Sequence, residues 1–279
     1  MPQFLWYTIS MKKHKIVLCF LAVFFFILST CETGLEGYLD LQRTMIPVSN
    51  EAELRAAMQK DDAVIGLVKD ITISSPGLDV PVGKIITVFA WDRDITLGLG
   101  DTGPMDPIFE VSGTLILGDS RSNGTLVLDG KLIAPRHTAL VKISEKCTMN
   151  NGVVIKGNII SSLGHGGGVN VEPGGTFIMN GGEISGNATV GSGGGVNVDG
   201  IGIFTMTGGI IRGNQADTQG GGVAISGSGT FTKKGGTIYG DDGSPKSNKT
   251  FPPGNGAAIC STTPPYTREY TVWPGDNLP

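Results

Sequence analysis

From residue 166 onward, apolar and polar residues alternate in runs of three or four, and glycine separates the runs. Val169-Asn170-Val171 is followed, after Pro173-Gly174-Gly175, by Thr176-Phe177-Ile178-Met179. Asn180-Gly181-Gly182 then leads into Glu183-Ile184-Ser185. Period-two alternation in runs too short for a helix predicts three short strands joined by turns. The unit then recurs. Gly166-Gly167-Gly168-Val169 returns as Gly193-Gly194-Gly195-Val196 and as Gly220-Gly221-Gly222-Val223, 27 residues on each time. The same spacing groups Val169, Val196 and Val223; Phe177, Phe204 and Phe231; and Ile184, Ile211 and Ile238. Asn187, Asn214 and Asp241 complete the set. Residues 166–192 and 193–219 agree at 14 of 27 positions, too many for coincidence.

One such unit cannot bury Val169, Val171, Phe177, Met179 and Ile184 within itself. Stacked coil upon coil, the units place each apolar residue over its counterpart. The expected fold is therefore all-β, a right-handed parallel β-helix with three strands per ~27-residue coil. Asn187 and Asn214 follow a glycine at a turn, where Asn tolerates left-handed backbone and its amide can hydrogen-bond along a stack. Outward positions Asn170, Asn197 and Ala224, and Ile178, Thr205 and Thr232, are expected to form polar ladders. Lys233 interrupts the column begun by Met179 and Met206, and the interior is expected to loosen there.

Upstream the texture persists with less regular spacing. Ile71–Ile73, Ile85–Val88, Gly113–Asp119, Gly124–Gly130 and Met149–Asn158 read as further strands and turns, so the solenoid is expected over residues 63–272. Asn50–Met58 reads as a short amphipathic helix covering its first end, with Asn50 and Glu53 as a capping pair. A polar loop over Asp241–Pro253, a last strand near Ala257–Ile259 and the segment Tyr266–Trp273 close the other end.

The first residues read as an address. Lys12, Lys13 and Lys15 precede an apolar run of 13 residues, Ile16–Leu28, then Ser29-Thr30-Cys31. This is the order of a secretory signal, with translation expected to start at Met11. The run would reach only ~20 Å as a helix, short of a ~30 Å hydrocarbon core. Residues 1–31 are therefore read as a signal peptide, 32–45 as a linker and 46–279 as the β-helix domain. The four cysteines are Cys19, Cys31, Cys147 and Cys260. In a solenoid the last two lie coils apart, beyond disulfide reach, and are expected to be buried as small apolar residues.

Composition adds the reason for so many turns: 44 of 279 residues are glycine, the residue without a Cβ to clash at tight turns. A net charge of −4 offers no basic field for nucleic acid.

The Gly-Gly-Gly-Val … Phe-x-Met-x-Gly-Gly-x-Ile-x-Gly-Asn unit, with the N-terminal helix, resembles the right-handed parallel β-helices of the pectin-lyase-like superfamily. More narrowly it is similar to glycine-rich repeats of bacterial, notably spirochaete, surface lipoproteins. Phe177-Ile178-Met179-Asn180 also resembles the Phe-x-x-Asn repeat of polymorphic outer-membrane adhesins, although Phe204 and Phe231 lack the Asn. Leu28-Ser29-Thr30-Cys31 resembles the bacterial lipobox, which implies that Cys31 is lipidated and anchors the chain to a membrane. These resemblances imply a lipid-anchored protein of the bacterial envelope, at the outer membrane or cell surface. The expected activity is non-catalytic binding of glycan or host extracellular matrix.

The alternative is a carbohydrate-active enzyme, a polysaccharide lyase or hydrolase, which needs carboxylates gathered on one outer face. The outward acids of the clear repeats are Glu172, Glu183, Asp199 and Asp217. Glu172 and Asp199 are expected on adjacent coils, at a solvated turn. Trp91-Asp92-Arg93-Asp94 is the densest charged spot and is read as a turn with a self-paired Arg. His137 and His165 stand one coil apart with no ligand column beside them. No catalytic residue, metal site or cofactor is expected.

Overall fold

The structure, a computed structural model, describes residues 44–100, 106–131, 137–162, 164–241, 243–251 and 256–261. Strands recur in a fixed order and pair only with their counterparts one coil away, always in parallel, to make a solenoid of about six coils. Three long sheets form its walls. The Val sheet has seven strands, from Leu78–Val80 to Ile259–Ser261. The Phe sheet has eight, from Ile46–Val48 to Thr230–Lys233. The Ile sheet has seven, from Ile71–Ile73 to Thr237–Ile238.

The structure adds a fourth strand to the expected three. Ile159–Ile160, Ala188–Thr189, Gln215–Ala216 and Lys249–Thr250 pair into a short sheet of their own. Two residues cannot show an alternation, so these strands exist only through their neighbours above and below.

The 27-residue register holds as read. Phe177 pairs with Phe204 and Phe204 with Phe231, Val169 with Val196 and Val196 with Val223, and Ile184 with Ile211 and Ile211 with Ile238. Upstream coils vary in length: 23 residues separate Ala63 from Ile86, 32 separate Thr114 from Lys146, and 30 separate Lys146 from Thr176. The differences lie in the turns, because strands already in register leave length no other place to vary. The solenoid begins before residue 63, since Ile46–Val48 pairs with Ala63–Leu67. The segment Tyr266–Trp273 lies outside the described residues.

The helix Glu51–Ala57 packs on these first strands and buries Leu54 and Ala57. Asn50 accepts from the Glu53 amide at 3.0 Å, the expected half of the capping pair. The reciprocal bond goes one residue further back, with Glu53 accepting from the Ser49 amide at 2.8 Å.

A single apolar interior runs the length of the described coils, and Phe109, Phe177, Phe204, Met179 and Met206 are wholly buried in it. The glycine triplets close its corner. The Gly167 amide donates to the Gly193 carbonyl at 2.8 Å and the Gly194 amide to the Gly220 carbonyl at 3.0 Å. A Cβ on Gly194 would fall 2.4 Å from the Gln215 oxygen and 2.5 Å from the Gly221 oxygen, so no larger residue fits between coils.

Candidate functional site

Each repeated residue singled out in the sequence has a structural place. Phe177, Phe204 and Phe231 stack face to face inside the coil, with ring centroids 5.0 and 4.8 Å apart. Val169, Val196, Val223, Ile184, Ile211 and Ile238 line the same interior at 1% exposure or less. Near Lys233 the interior stays closed around that side chain, which is 4% exposed, while Phe231 rises to half-buried.

The Asn column is correct for Asn187 and Asn214 and wrong for Asp241. Asn187 donates to Asn214 Oδ1 at 3.1 Å, and Asn214 donates to Asn248 Oδ1 at 3.0 Å. Asp241 is exposed. The polar loop adds seven residues to this coil, so the next rung falls 34 residues after Asn214 and not 27. The ladder also extends upstream to Asn158, whose amide N–H reaches Asn187 Oδ1 at 3.2 Å. Every rung is buried and donates to a carbonyl of the same or preceding coil, as Asn214 does to Ile184 at 3.0 Å. The column is a buried seam, with no open side for a ligand.

Charged side chains converge instead on the outer face of the Val sheet, in coils too irregular to read by repeat. Asp79 pairs in register with Glu110, and Glu110 with Lys142. Lys142 Nζ stands 3.0 Å from Glu110 Oε1 and 3.0 Å from Glu172 Oε1. Burial works against the Lys142 charge, but hydrogen bonds to the two glutamates outweigh it and raise its pKa above the ordinary lysine value. Next to this ladder, between the helix and the second and third coils, lies a cleft of about 390 Å³ lined in part by Arg55, Asp79, Asp106 and Glu110. Arg55 serves as its floor. It is held by Glu51 at 2.7 Å and donates to the carbonyls of Ser74, Pro76 and Gly77. Asp106 accepts from Ser75 at 3.0 Å. The repeat could not reveal this group, because 31 residues separate Asp79 from Glu110 and 32 separate Glu110 from Lys142. The alternation Leu78-Asp79-Val80 is the one local signal from which the outward acid could have been found.

The acids expected at the clear repeats are occupied singly. Glu172 is held by Lys142 and accepts from Ser144, while Asp199 accepts from Ser226 at 2.7 Å. Glu183 pairs with Arg212 at 2.9 Å, and Asp217 is exposed. At Trp91–Asp94 the expected self-pairing is absent. Among the described residues no ion pair joins Arg93 to its flanking aspartates, and Asp94 accepts from the Thr125 amide of the next coil at 2.7 Å. Trp91 packs edge-on against Phe89 at 6.0 Å. His165 Nδ1 accepts from the Ser192 amide at 3.1 Å, and His137 is exposed. No group of three or more His, Cys, Asp or Glu suited to a metal ion occurs among the described residues.

Two outward expectations need correction. Asn197 and Ala224 are 1% and 3% exposed. Gly193 and Gly220 fold back against them, and the Asn197 amide is spent on Asn170 at 2.9 Å. Cys147 is buried as expected, between Leu115 and Phe177 in the internal column. Cys260 is half-buried in the outward position beside Ala224, a place the polar loop hides from the repeat count. Cys31 lies outside the described residues. Compared with family models, curated proteins and solved structures, the chain matches none.

Proposed function

We propose that the chain is a non-catalytic, lipid-anchored protein of the bacterial cell surface that binds a glycan or extracellular-matrix polymer along its solenoid. The observation that supports this most is the Val-sheet face, where a charge ladder with its groups satisfied borders an open cleft of about 390 Å³. That volume lies within the ~300–1,000 Å³ of ordinary ligand sites. Asp79 and Asp106 at its rim offer acceptors to sugar hydroxyls, and the Glu110–Lys142–Glu172 ladder is already set in place. The resemblance to surface lipoproteins of spirochaetes, and to the lipobox at Cys31, supports the anchor and the location.

Two measurements test the two halves. Labelling with an alkyne fatty acid should mark the wild type and be lost in Cys31→Ser, while protease added to intact cells should degrade the wild type. Glycan and matrix arrays should show binding that falls at least tenfold in Asp79→Asn/Asp106→Asn, with the melting temperature unchanged. Binding that survives the double substitution removes the cleft from the reading.

One observation favours an enzyme as second reading. Asp79 and Glu110 are in-register neighbours, and strands ~4.8 Å apart place carboxyls near the ~5–5.5 Å of a retaining glycosidase pair. Release of reducing ends from a polysaccharide panel, abolished by Glu110→Gln, would replace the binding reading with this one.

A further inference from the structure

The cleft beside the Val sheet carries negative charge that its own cations do not balance. Arg55, the one cation in its lining, is closed on its surroundings. It pairs with Glu51 at 2.7 Å and donates to the carbonyls of Ser74, Pro76 and Gly77. Lys142, on the adjoining ladder, is shared between Glu110 and Glu172 at 3.0 Å from each. Asp79 and Asp106 are left over. Among the described residues Asp79 is exposed with neither a hydrogen bond nor an ion pair, and Asp106 has only the Ser75 hydroxyl at 3.0 Å.

The sheet pays for this arrangement. Asp79 stands directly opposite Glu110, the one step of the Val sheet where like charges face each other. Later steps set Glu110 against Lys142, Lys142 against Asn170 and Asn170 against Asn197. Like charges directly opposite on neighbouring strands are destabilising. A cation in the cleft turns that repulsion into attraction.

The rest of the lining selects the kind of cation. A bare metal ion is poorly served, since no group of three or more His, Cys, Asp or Glu is gathered for one among the described residues. A volume of about 390 Å³ is also far more than an ion fills. An anion would meet three carboxylates and a cation already paired. Apart from its charges the lining is mostly apolar, with Met58, Pro76, Leu78 and Pro107, and its described residues include no aromatic ring to lie against a sugar. A lysine side chain matches both parts: a four-carbon stem for the apolar walls, and a compact ammonium with three donors for the carboxylates.

We propose that the cleft receives a lysine side chain displayed by a basic polypeptide, so that the partner is a basic matrix protein and not a polysaccharide. The inference rests on the binding role given above to this cleft and narrows its ligand. The ammonium takes the place of the missing counter-charge between Asp79 and Glu110, and the acidic rim steers the basic segment in. Such steering weakens as salt screens it.

The test titrates the full chain with a short lysine peptide, the equivalent glutamate peptide, a glucosamine oligomer and a neutral glucan oligomer. Wild type should bind the lysine peptide and not the glutamate peptide, with an affinity that falls as salt rises. Asp79→Asn and Asp106→Asn should each weaken that binding about tenfold. Asp217→Asn, which removes the same charge from an exposed site outside the cleft, should not. Asp79→Asn also removes the like charge opposite Glu110, so its melting temperature should be no lower than that of wild type. Absence of lysine-peptide binding overturns the proposal, as does an equal loss in Asp217→Asn, which marks attraction to net charge alone. Tighter binding of the glucosamine oligomer overturns it and assigns the cleft to an amino sugar. A neutral glucan bound by wild type and lost in Asp79→Asn, with the lysine peptide unbound, overturns the lysine assignment but leaves the cleft a binding site. No probe bound, with blank glycan and matrix arrays, removes both.

Discussion

Phe204 and Thr205 are neighbours in one strand and face opposite ways, which makes them a direct probe of register. Phe204 lies between Phe177 and Phe231, while Thr205 points outward. Phe204→Ala should cost about 3–5 kcal/mol and Thr205→Ala under ~1 kcal/mol in denaturant unfolding. Asn214 is the harder position to replace among the polar residues. Its amide bonds Ile184 and Asn248 and its oxygen receives Asn187, all of them buried. Asn214→Ala strands those partners and should cost about 2–4 kcal/mol, at 1–3 kcal/mol for each buried group left unsatisfied. Asn180 makes a similar rung in the open, bonding Asn150 at 3.1 Å, and Asn180→Ala should cost under ~1 kcal/mol.

Titratable residues give two more readings. The Arg121 hydrogen bonds hold the half-buried Asp119 carboxyl below its ordinary value, against the opposing effect of burial. A lowered carboxylate adds stability above its unfolded pKa, and that stability is lost as pH falls through the folded value. Thermal melts from pH 6 to pH 2 should therefore show a smaller acid-induced drop for Asp119→Asn than for wild type, because the variant has no proton to take up there. Burial pushes the Cys147 thiol up, and that of Cys260 less completely because it is half-buried. A thiol reagent should modify Cys260 in the native protein and reach Cys147 only on unfolding, as mass spectrometry of the peptides would show.

Strands here are too short to stand alone, so the coil is the element that folds. Because the strands at Thr176, Ile203 and Thr230 are in register at 27-residue steps, one coil is a removable unit. Deleting residues 193–219 brings Gly220 where Gly193 stood and keeps every column, so the protein should fold with cooperative melting and a length shorter by ~4.8 Å in solution scattering. Deleting 193–212 breaks the columns and should prevent cooperative folding. Unequal early coils leave only strand-like texture in the upstream half of the sequence. Inserted turn residues shift the period without changing the strands, so Leu115, Cys147 and Phe177 share one column that no fixed spacing connects.

For the whole molecule, three walls carry three chemistries. The Val sheet displays acids and Lys142 beside a cleft, the Ile sheet displays ion pairs, and the Phe sheet displays threonine and isoleucine. A solenoid permits this because each wall collects one position from every coil. The inner residues are constrained by packing against the coils above and below, and the outer residues are not.

The repeat was sufficient for the fold, the strand register and the three internal columns, because stacked identical units have one way to bury Phe177, Phe204 and Phe231 together. Alternation was sufficient to tell inward from outward wherever the coil length stayed constant. The Asn248 rung, the two-residue strands and the Asp79–Glu110–Lys142 ladder came from the folded chain, since all depend on which residues meet after loops of unequal length. Exposure at Asn197, Ala224 and Cys260 was likewise set in three dimensions, where glycine turns and neighbouring coils cover positions that alternation places outside. Pattern records the direction of a side chain relative to its strand, and only packing determines what lies in that direction.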